Sequence, residues 1–230
     1  IKLAQQLYGV TGAGQKICVL SDGVNSLETA QASGDLPPTV DVLPGQDGFG
    51  DEGTAMLEIV HDLAPDAELG FATAMAGTEN FADNIRQLQA AGCSIIVDDV
   101  SYLSESPFQE DEIAQAVIDV TNAGAMFFSS AANDGNLDSN RSGTWEGDFN
   151  ANGSLAGLPN GRVHNFGDGG QSDALTSPAS TVLLHWNDPA GLAGNDYDLY
   201  VMDASLQTVL AASTDAQNGS GIAYEYVTGD

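Results

Sequence analysis

Over about the first 155 residues, two apolar patterns take turns. Short unbroken apolar runs at 16–20, 67–73, 94–97 and 125–129 have strand length and end in turn residues. Between them, 54–63, 80–91 and 110–122 repeat apolar side chains at helical spacing. Continuous apolar strands alternating with helices predict an α/β fold, with a parallel sheet covered by helices on both faces. In the first of these helices the i, i+3, i+4, i+7 spacing selects Met56, Ile59, Val60 and Leu63 as the core-facing stripe.

The pattern changes near residue 135. Residues 134–170 are rich in Gly, Asn, Asp and Ser, with few aliphatics, and read as loop. Strand-like runs then follow at 181–186, 197–202, 208–210 and 222–227. Turn signals such as Asn187-Asp188-Pro189 and Asn218-Gly219 separate them. This second pattern predicts a smaller antiparallel β-sandwich or jelly-roll. The expected division is an α/β domain over 1–156 and a β domain over 157–230.

Charge narrows the partners. The 230 residues carry 33 acids against five Lys and Arg, a net charge of −28. Nucleic-acid binding is excluded on that balance, because phosphate neutralisation needs clustered cations. No apolar run approaches the length of a membrane span, so no membrane partner is expected. Such acidity fits a secreted protein, a protein working in acid, or one from a salty medium. No signal-peptide pattern opens the chain, and Ile1 reads as the start of a mature or trimmed chain. Cys18 and Cys93 lie on or next to apolar runs, which favours two buried thiols; a disulfide is the alternative, and spacing does not decide between them.

Three segments carry candidate chemistry. Cys18-Val19-Leu20-Ser21-Asp22-Gly23 ends the first strand. Asp51-Glu52-Gly53-Thr54 opens a helix that runs to Ala64-Pro65, and Ser129-Ser130-Ala131-Ala132-Asn133-Asp134-Gly135 closes the last strand of the α/β pattern. In order and spacing, over roughly residues 5–136, they resemble the subtilisin-like serine proteases (subtilases), with their strand-end Asp-x-Gly, helix-opening Gly-His-Gly-Thr and Ala-Gly-Asn-x-Gly oxyanion segment. The resemblance implies a subtilisin-like, mostly parallel sheet and the activity of a serine endopeptidase. It assigns Asp22 as the orienting carboxylate and Asn133 as the oxyanion donor. It also places the β region as the sandwich inserted in some bacterial subtilases before the nucleophile serine. Two departures stand out. Glu52 occupies the position of the family's His, and no Gly-Thr-Ser-Met-Ala segment is present.

An ordinary Glu, with a pKa of roughly 4.3, is a feeble base at neutral pH and a well-matched one in acid. Two carboxylates held close cannot both ionise freely, so Asp22 and Glu52 are expected to share a proton. The sedolisins, acid-acting relatives of the subtilisins, use such a Ser-Glu-Asp arrangement. They place their Asp four residues after the Glu, where this chain has Met56, and use Asp for the oxyanion, where it has Asn133. On position alone Glu52 would be a helix-dipole acid; Asp22 and Asn133 would be turn residues. The flanking residues favour the catalytic reading.

Asp98 and Asp99 end an apolar strand in the region where subtilases line the specificity pocket. They are candidates for substrate binding or for a hydrogen bond to Glu52; the plainer reading is a strand-terminating turn. Asp134, Asn136 and Asp138, with Asn140, offer oxygens at alternate positions, as in part of a calcium loop. The Gly at the sixth place and the Glu at the twelfth are missing, and turn chemistry is the simpler account. Asn195, Asp196 and Asp198 form a similar group. Calcium is the one cofactor these patterns admit, and none is required.

The expectation is therefore part of a secreted serine endopeptidase with a Ser-Glu-Asp-type triad, favouring acidic pH and acting on polypeptide. The chain alone lacks the nucleophile and is expected to be inactive; its partner would be the C-terminal remainder of the same protease. The alternative is a catalytically inactive subtilase-like module that binds peptide or carbohydrate.

Overall fold

β1 (Lys16–Ser21) lies at the centre of a five-stranded sheet, with every pairing parallel, in the order β2-β3-β1-β4-β5. The other strands are β2 (Asp41–Val42), β3 (Glu68–Thr73), β4 (Ile95–Asp98) and β5 (Met126–Ser129). The helices are α1 (Lys2–Tyr8), α2 (Leu27–Ser33), α3 (Glu52–Leu63), α4 (Thr78–Ala90) and α5 (Glu112–Asn122). From β1 the chain runs to the edge strand β2, returns to β3 beside β1, then crosses to the other side for β4 and β5. Such a reversal at the central strand opens a crevice at the carboxyl ends of the strands, where ligands collect in α/β sheets. This computed structural model describes residues 2–133, 135–136, 138–139, 142–155, 158, 161–167, 169–176 and 178–229.

Strand alternation divides the core into two layers. Cys18, Leu20, Ala72 and Ile96 pack under α4 and α5 against Phe81, Ile85, Leu88, Ile113, Ala116 and Val120. On the other face Ile17, Val19, Leu69 and Phe71 pack against Leu57 of α3 and against Val24, Ala30 and Leu36. Both layers are apolar, which is why the strands read as continuous apolar runs.

Two expectations about this region are corrected. The core stripe of α3 is Gly53, Thr54 and Leu57, with Met56 and Val60 partly buried, while Ile59 is 60% and Leu63 44% exposed. The first turn sets the helix's rotation. Gly53 lies so close to the sheet that a Cβ there would come 2.4 Å from the Phe71 ring and 2.6 Å from the Gly23 carbonyl oxygen. The favoured pair of buried thiols is instead a disulfide between Cys18 and Cys93, with Cα atoms 5.9 Å apart. Cys18 points from β1 into the α4–α5 layer, and the turn after α4 brings Cys93 into that same layer.

The chain forms two compact units, Ile1–Tyr102 with Glu110–Asn133, and Leu103–Gln109 with Asp134–Asp230. The second contains β6 (Thr181–His185), β7 (Leu199–Met202), β8 (Val209–Ser213) and β9 (Tyr224–Thr228), paired antiparallel as β6-β9 and β7-β8. Its small core holds Trp186, Ala193 and Ala223. The Asp188 carboxylate accepts hydrogen bonds from the backbone amides of Gly194 (2.8 Å) and Asn195 (2.6 Å) and from the Asn195 side chain. These donors, the Asn195 amide foremost, hold it below the usual Asp range. Gln109 ties the 103–109 segment to this unit, donating to the Asp188 carbonyl and accepting from the Ala190 amide.

Candidate active site

The carboxyl edge of the sheet gathers the candidate residues of the first unit. Asp22 follows β1, Glu52 is the first residue of α3, Asp98 ends β4 with Asp99 next, and Asn133 lies four residues beyond β5. Asp22 is gripped by backbone. Its Oδ1 accepts from the amides of Gly23 and, at 3.2 Å, Gly53 in the first turn of α3; its carbonyl accepts from Phe49 N and Thr73 Oγ1. Donors at a helix N-terminus favour an anion there. Gly50, at φ +125°, passes so close that a Cβ would fall 1.8 Å from Asp22 Oδ2. The glycines flanking Asp51-Glu52 thus have a steric role that composition alone did not disclose. Asp51 fixes the same loop, its carboxylate accepting from Ser26 N at 2.6 Å and from the Ser26 and Thr54 hydroxyls.

Glu52 is exposed. Its carboxyl lies above the ordinary Glu range. Partial loss of water contributes most, then the negative charges of Asp99 and Asp22, then a side-chain hydrogen bond with Asp99; a hydrogen bond from the Ser21 hydroxyl works against these. Ser21 is fully buried, and its Oγ has no partner at ordinary hydrogen-bond geometry among the described residues. The Ser21 hydroxyl favours the ionised form of Glu52 without a hydrogen bond of ordinary geometry.

A Glu whose folded-state pKa is raised binds more protons folded than unfolded, so its contribution to stability falls as pH rises through the folded value. Glu52→Gln is therefore expected to raise the melting temperature at neutral pH and leave it unchanged near pH 3, where Glu is protonated in both states. Thermal melts at the two pH values check this; equal shifts at both would contradict the proton linkage.

Asp98, 3% exposed, turns to the opposite face of the sheet. Its Oδ1 accepts from Ser129 Oγ at 2.9 Å and from Val100 N, tying β4 to β5. Burial pushes its carboxyl up, with Ser129 the main opposing influence. Asp99, by contrast, is exposed beside Glu52. Asn133 is also exposed, and among the described residues no hydrogen bond joins it to Asp22 or Glu52.

Of the oxygens considered for calcium, Asp134 and Asn140 lie outside the described residues. Asn136 Oδ1 is engaged by the amide and hydroxyl of Ser139, and Asp138 lies in the same exposed turn. Asn195 serves the Asp188 clasp, and Asp196 accepts from Gln217 N. Among the described residues, no group of three or more His, Cys, Asp or Glu side chains has an arrangement that would hold a metal ion. A cavity of about 290 Å³ lined by Asp35, Glu58, His61 and Asp62 sits further along α3 and does not include Glu52.

Comparison with family models, with curated proteins and with solved structures found no match.

Proposed function

We propose that this chain is part of a secreted subtilisin-like serine endopeptidase in which Glu52 is the general base, Asp22 the orienting carboxylate beside it and Asn133 the oxyanion donor. One observation carries the reading: Asp22, Glu52 and Asp99 converge at the carboxyl edge of a parallel sheet, with the Glu52 carboxyl above its ordinary range. A base is most effective when its pKa lies near the working pH, so the upward direction makes Glu52 fitter for proton transfer in mild acid. The Cys18–Cys93 disulfide accords with an oxidising compartment. Among the described residues, no helix is long and apolar enough to cross a membrane.

The nucleophile is brought by another segment. Ser21 is fully buried and presents no hydroxyl to a substrate. On the α3 face, Ile95 and Val97 of β4 are half covered, and Met126 and Phe128 beside them are 50% and 54% exposed. This apolar strip fits a helix bearing the serine at the edge where Glu52 lies, in the manner of the subtilases. Calcium remains compatible with the loop oxygens and is not required by the chemistry.

Expressing the chain with the segment encoded downstream, and assaying peptide hydrolysis from pH 3 to 9, tests the reading. Hydrolysis with an optimum on the acid side of neutrality is expected; no hydrolysis, or an optimum above pH 8, overturns it. A second reading rests on the second unit, where the rings of Trp145, His164 and Phe166 stack edge-on with exposed Trp145 at the rim. Aromatic faces of this kind suit a non-catalytic module for peptide or carbohydrate. Saturable quenching of tryptophan fluorescence by such ligands, without hydrolysis, would favour it.

A further inference from the structure

We propose that Asn84 and Thr73 are positioning residues of the acid site, which together fix Asp22 and the loop that delivers Glu52. The inference rests on the reading of Glu52 as base and adds two buried residues that act on it through its loop.

Asn84 is the one polar side chain on the buried face of α4, which it shares with Phe81, Ala82, Ile85 and Leu88. It is fully buried. Its amide nitrogen donates to the Thr73 carbonyl at 2.8 Å, to Gln46 Oε1 at 2.7 Å and to Asn80 Oδ1 at 3.1 Å. A backbone carbonyl only accepts, so the Thr73 contact fixes which end of the amide meets the sheet. Asn84 Oδ1 is left without a partner among the described residues. Burying an unpaired oxygen is costly, and an aliphatic side chain here would avoid that cost. What such a side chain could not supply is a tie to the end of β3 and to the loop after β2.

Thr73 carries that tie across the sheet. Along β3, Ala72 packs in the α4–α5 layer and Leu69 and Phe71 in the α3 layer, so alternation puts the Thr73 side chain on the α3 face. Its hydroxyl donates to the Asp22 carbonyl at 2.9 Å and accepts from Met75 N at 3.2 Å. Its amide donates to the Gln46 carbonyl at 2.8 Å. Gly48 is clamped between these groups. At φ +66°, a Cβ on it would lie 2.1 Å from the Asp22 carbonyl oxygen and 2.8 Å from Thr73 Oγ1.

The loop is laid down against this anchor. Gly23 and Gly48 form an antiparallel bridge, and Phe49 N donates to the Asp22 carbonyl at 3.1 Å. Val24 N donates to Asp47 O at 3.0 Å and Asn25 N to Gly50 O at 2.9 Å. Glu52 follows with both its neighbours held, Asp51 by Ser26 N at 2.6 Å and Gly53 by Asp22 Oδ1 at 3.2 Å. The sequence of contacts thus runs from Asn84 to Thr73 and Gln46, from these to Asp22 and Gly48, and from Asp22 to the first turn of α3. A reacting group misplaced by about 1 Å can lose about 10²-fold in rate, which is the scale on which such anchoring matters.

Backbone amide relaxation measured by NMR on this chain tests the anchor. Asn84→Leu removes the donor at similar volume, Thr73→Val removes the hydroxyl, and Thr73→Ser keeps it. Gln46→Met deletes one acceptor at a partly buried position and is the variant least disturbing to the fold. In Asn84→Leu and Thr73→Val the order parameters of Phe49, Gly50 and Gly53 should fall from the rigid range, about 0.85, toward the flexible range below about 0.6. Gln46→Met should lower them less, Thr73→Ser should restore them, and the amides of Cys18, Val19 and Leu20 should stay rigid in all four. Loop order parameters unmoved in every folded variant, with only the melting temperature lowered, would make the residues merely structural and overturn the proposal. In the protein supplied with its serine segment, Asn84→Leu and Thr73→Val should lower kcat by about 10–10² with KM nearly constant, and Thr73→Ser should recover it. The two readings separate. A loosened loop in a longer protein that hydrolyses nothing removes only the protease, whereas hydrolysis that needs Glu52 and is indifferent to Asn84 and Thr73 removes only the positioning role.

Discussion

Replacing Glu52 by Gln is expected to reduce peptide hydrolysis by about 10²–10⁴ in the protein supplied with its serine segment, the range that a positioned general base contributes. Gln keeps the length, planarity and hydrogen-bonding oxygen of Glu, so substrate affinity and fold should change little. What it loses is the ability to take a proton. The loss should appear in kcat, with KM nearly constant, because the interaction removed is made only as the serine proton moves. It should persist at every pH where Glu52 is ionised and narrow in stronger acid, where the wild type is protonated and has lost its base as well. Asp22→Asn should cost less: the Gly23 and Gly53 amides that grip its Oδ1 can still donate to the Asn oxygen. Full activity in the Gln variant would rule out Glu52 as the base, and equal losses in both variants would argue for a merely structural acid pair.

The long elements of the first unit were legible because burial on both faces leaves unbroken apolar runs. The expected strands at 16–20, 67–73, 94–97 and 125–129 match β1, β3, β4 and β5 to within two residues at either end. The short α1, α2 and two-residue β2 were not, since seven or fewer residues carry too little periodicity to register. The rotation of α3 was misread for another reason. Met56, Ile59, Val60 and Leu63 do form a stripe, but the approach of Gly53 to Phe71 and Gly23, a tertiary constraint, turns part of it to solvent. In the site, Asp22 and Glu52 were visible as a pair of acids at strand and helix ends. The roles of Asp98 and Asp99 depend on which face each takes at the end of β4, and that parity follows only from register with β1.

Replacing both Cys18 and Cys93 by Ala is expected to cost about 2–4 kcal/mol of stability. For a protein of this size that corresponds to a fall in melting temperature of roughly 4–16 °C. The bridge joins residues 75 apart in sequence, so its removal frees a long loop in the unfolded chain. Both residues are buried in the α4–α5 layer, where Ala leaves a small apolar gap and no unpaired polar group. Ser at either position would add the penalty of a buried hydroxyl, which makes the Ala pair the cleaner measure. Reductant should act slowly on the folded protein and readily once urea exposes the sulfurs. Two thiols that react with a thiol reagent in denaturant without prior reduction, or an unchanged melting temperature in the double variant, would contradict the bridge. The site should respond as well. Cys18 lies in β1, the strand that leads to Ser21 and Asp22, and Cys93 lies two residues before the start of β4, the strand that leads to Asp99. Without the bridge the two strand ends are held by sheet pairing and packing alone. The Glu52 carboxyl should then move back toward its ordinary range, downward, as Asp99 is held less firmly against it; a Glu52 titration unchanged by loss of the bridge would show that sheet pairing alone sets the site.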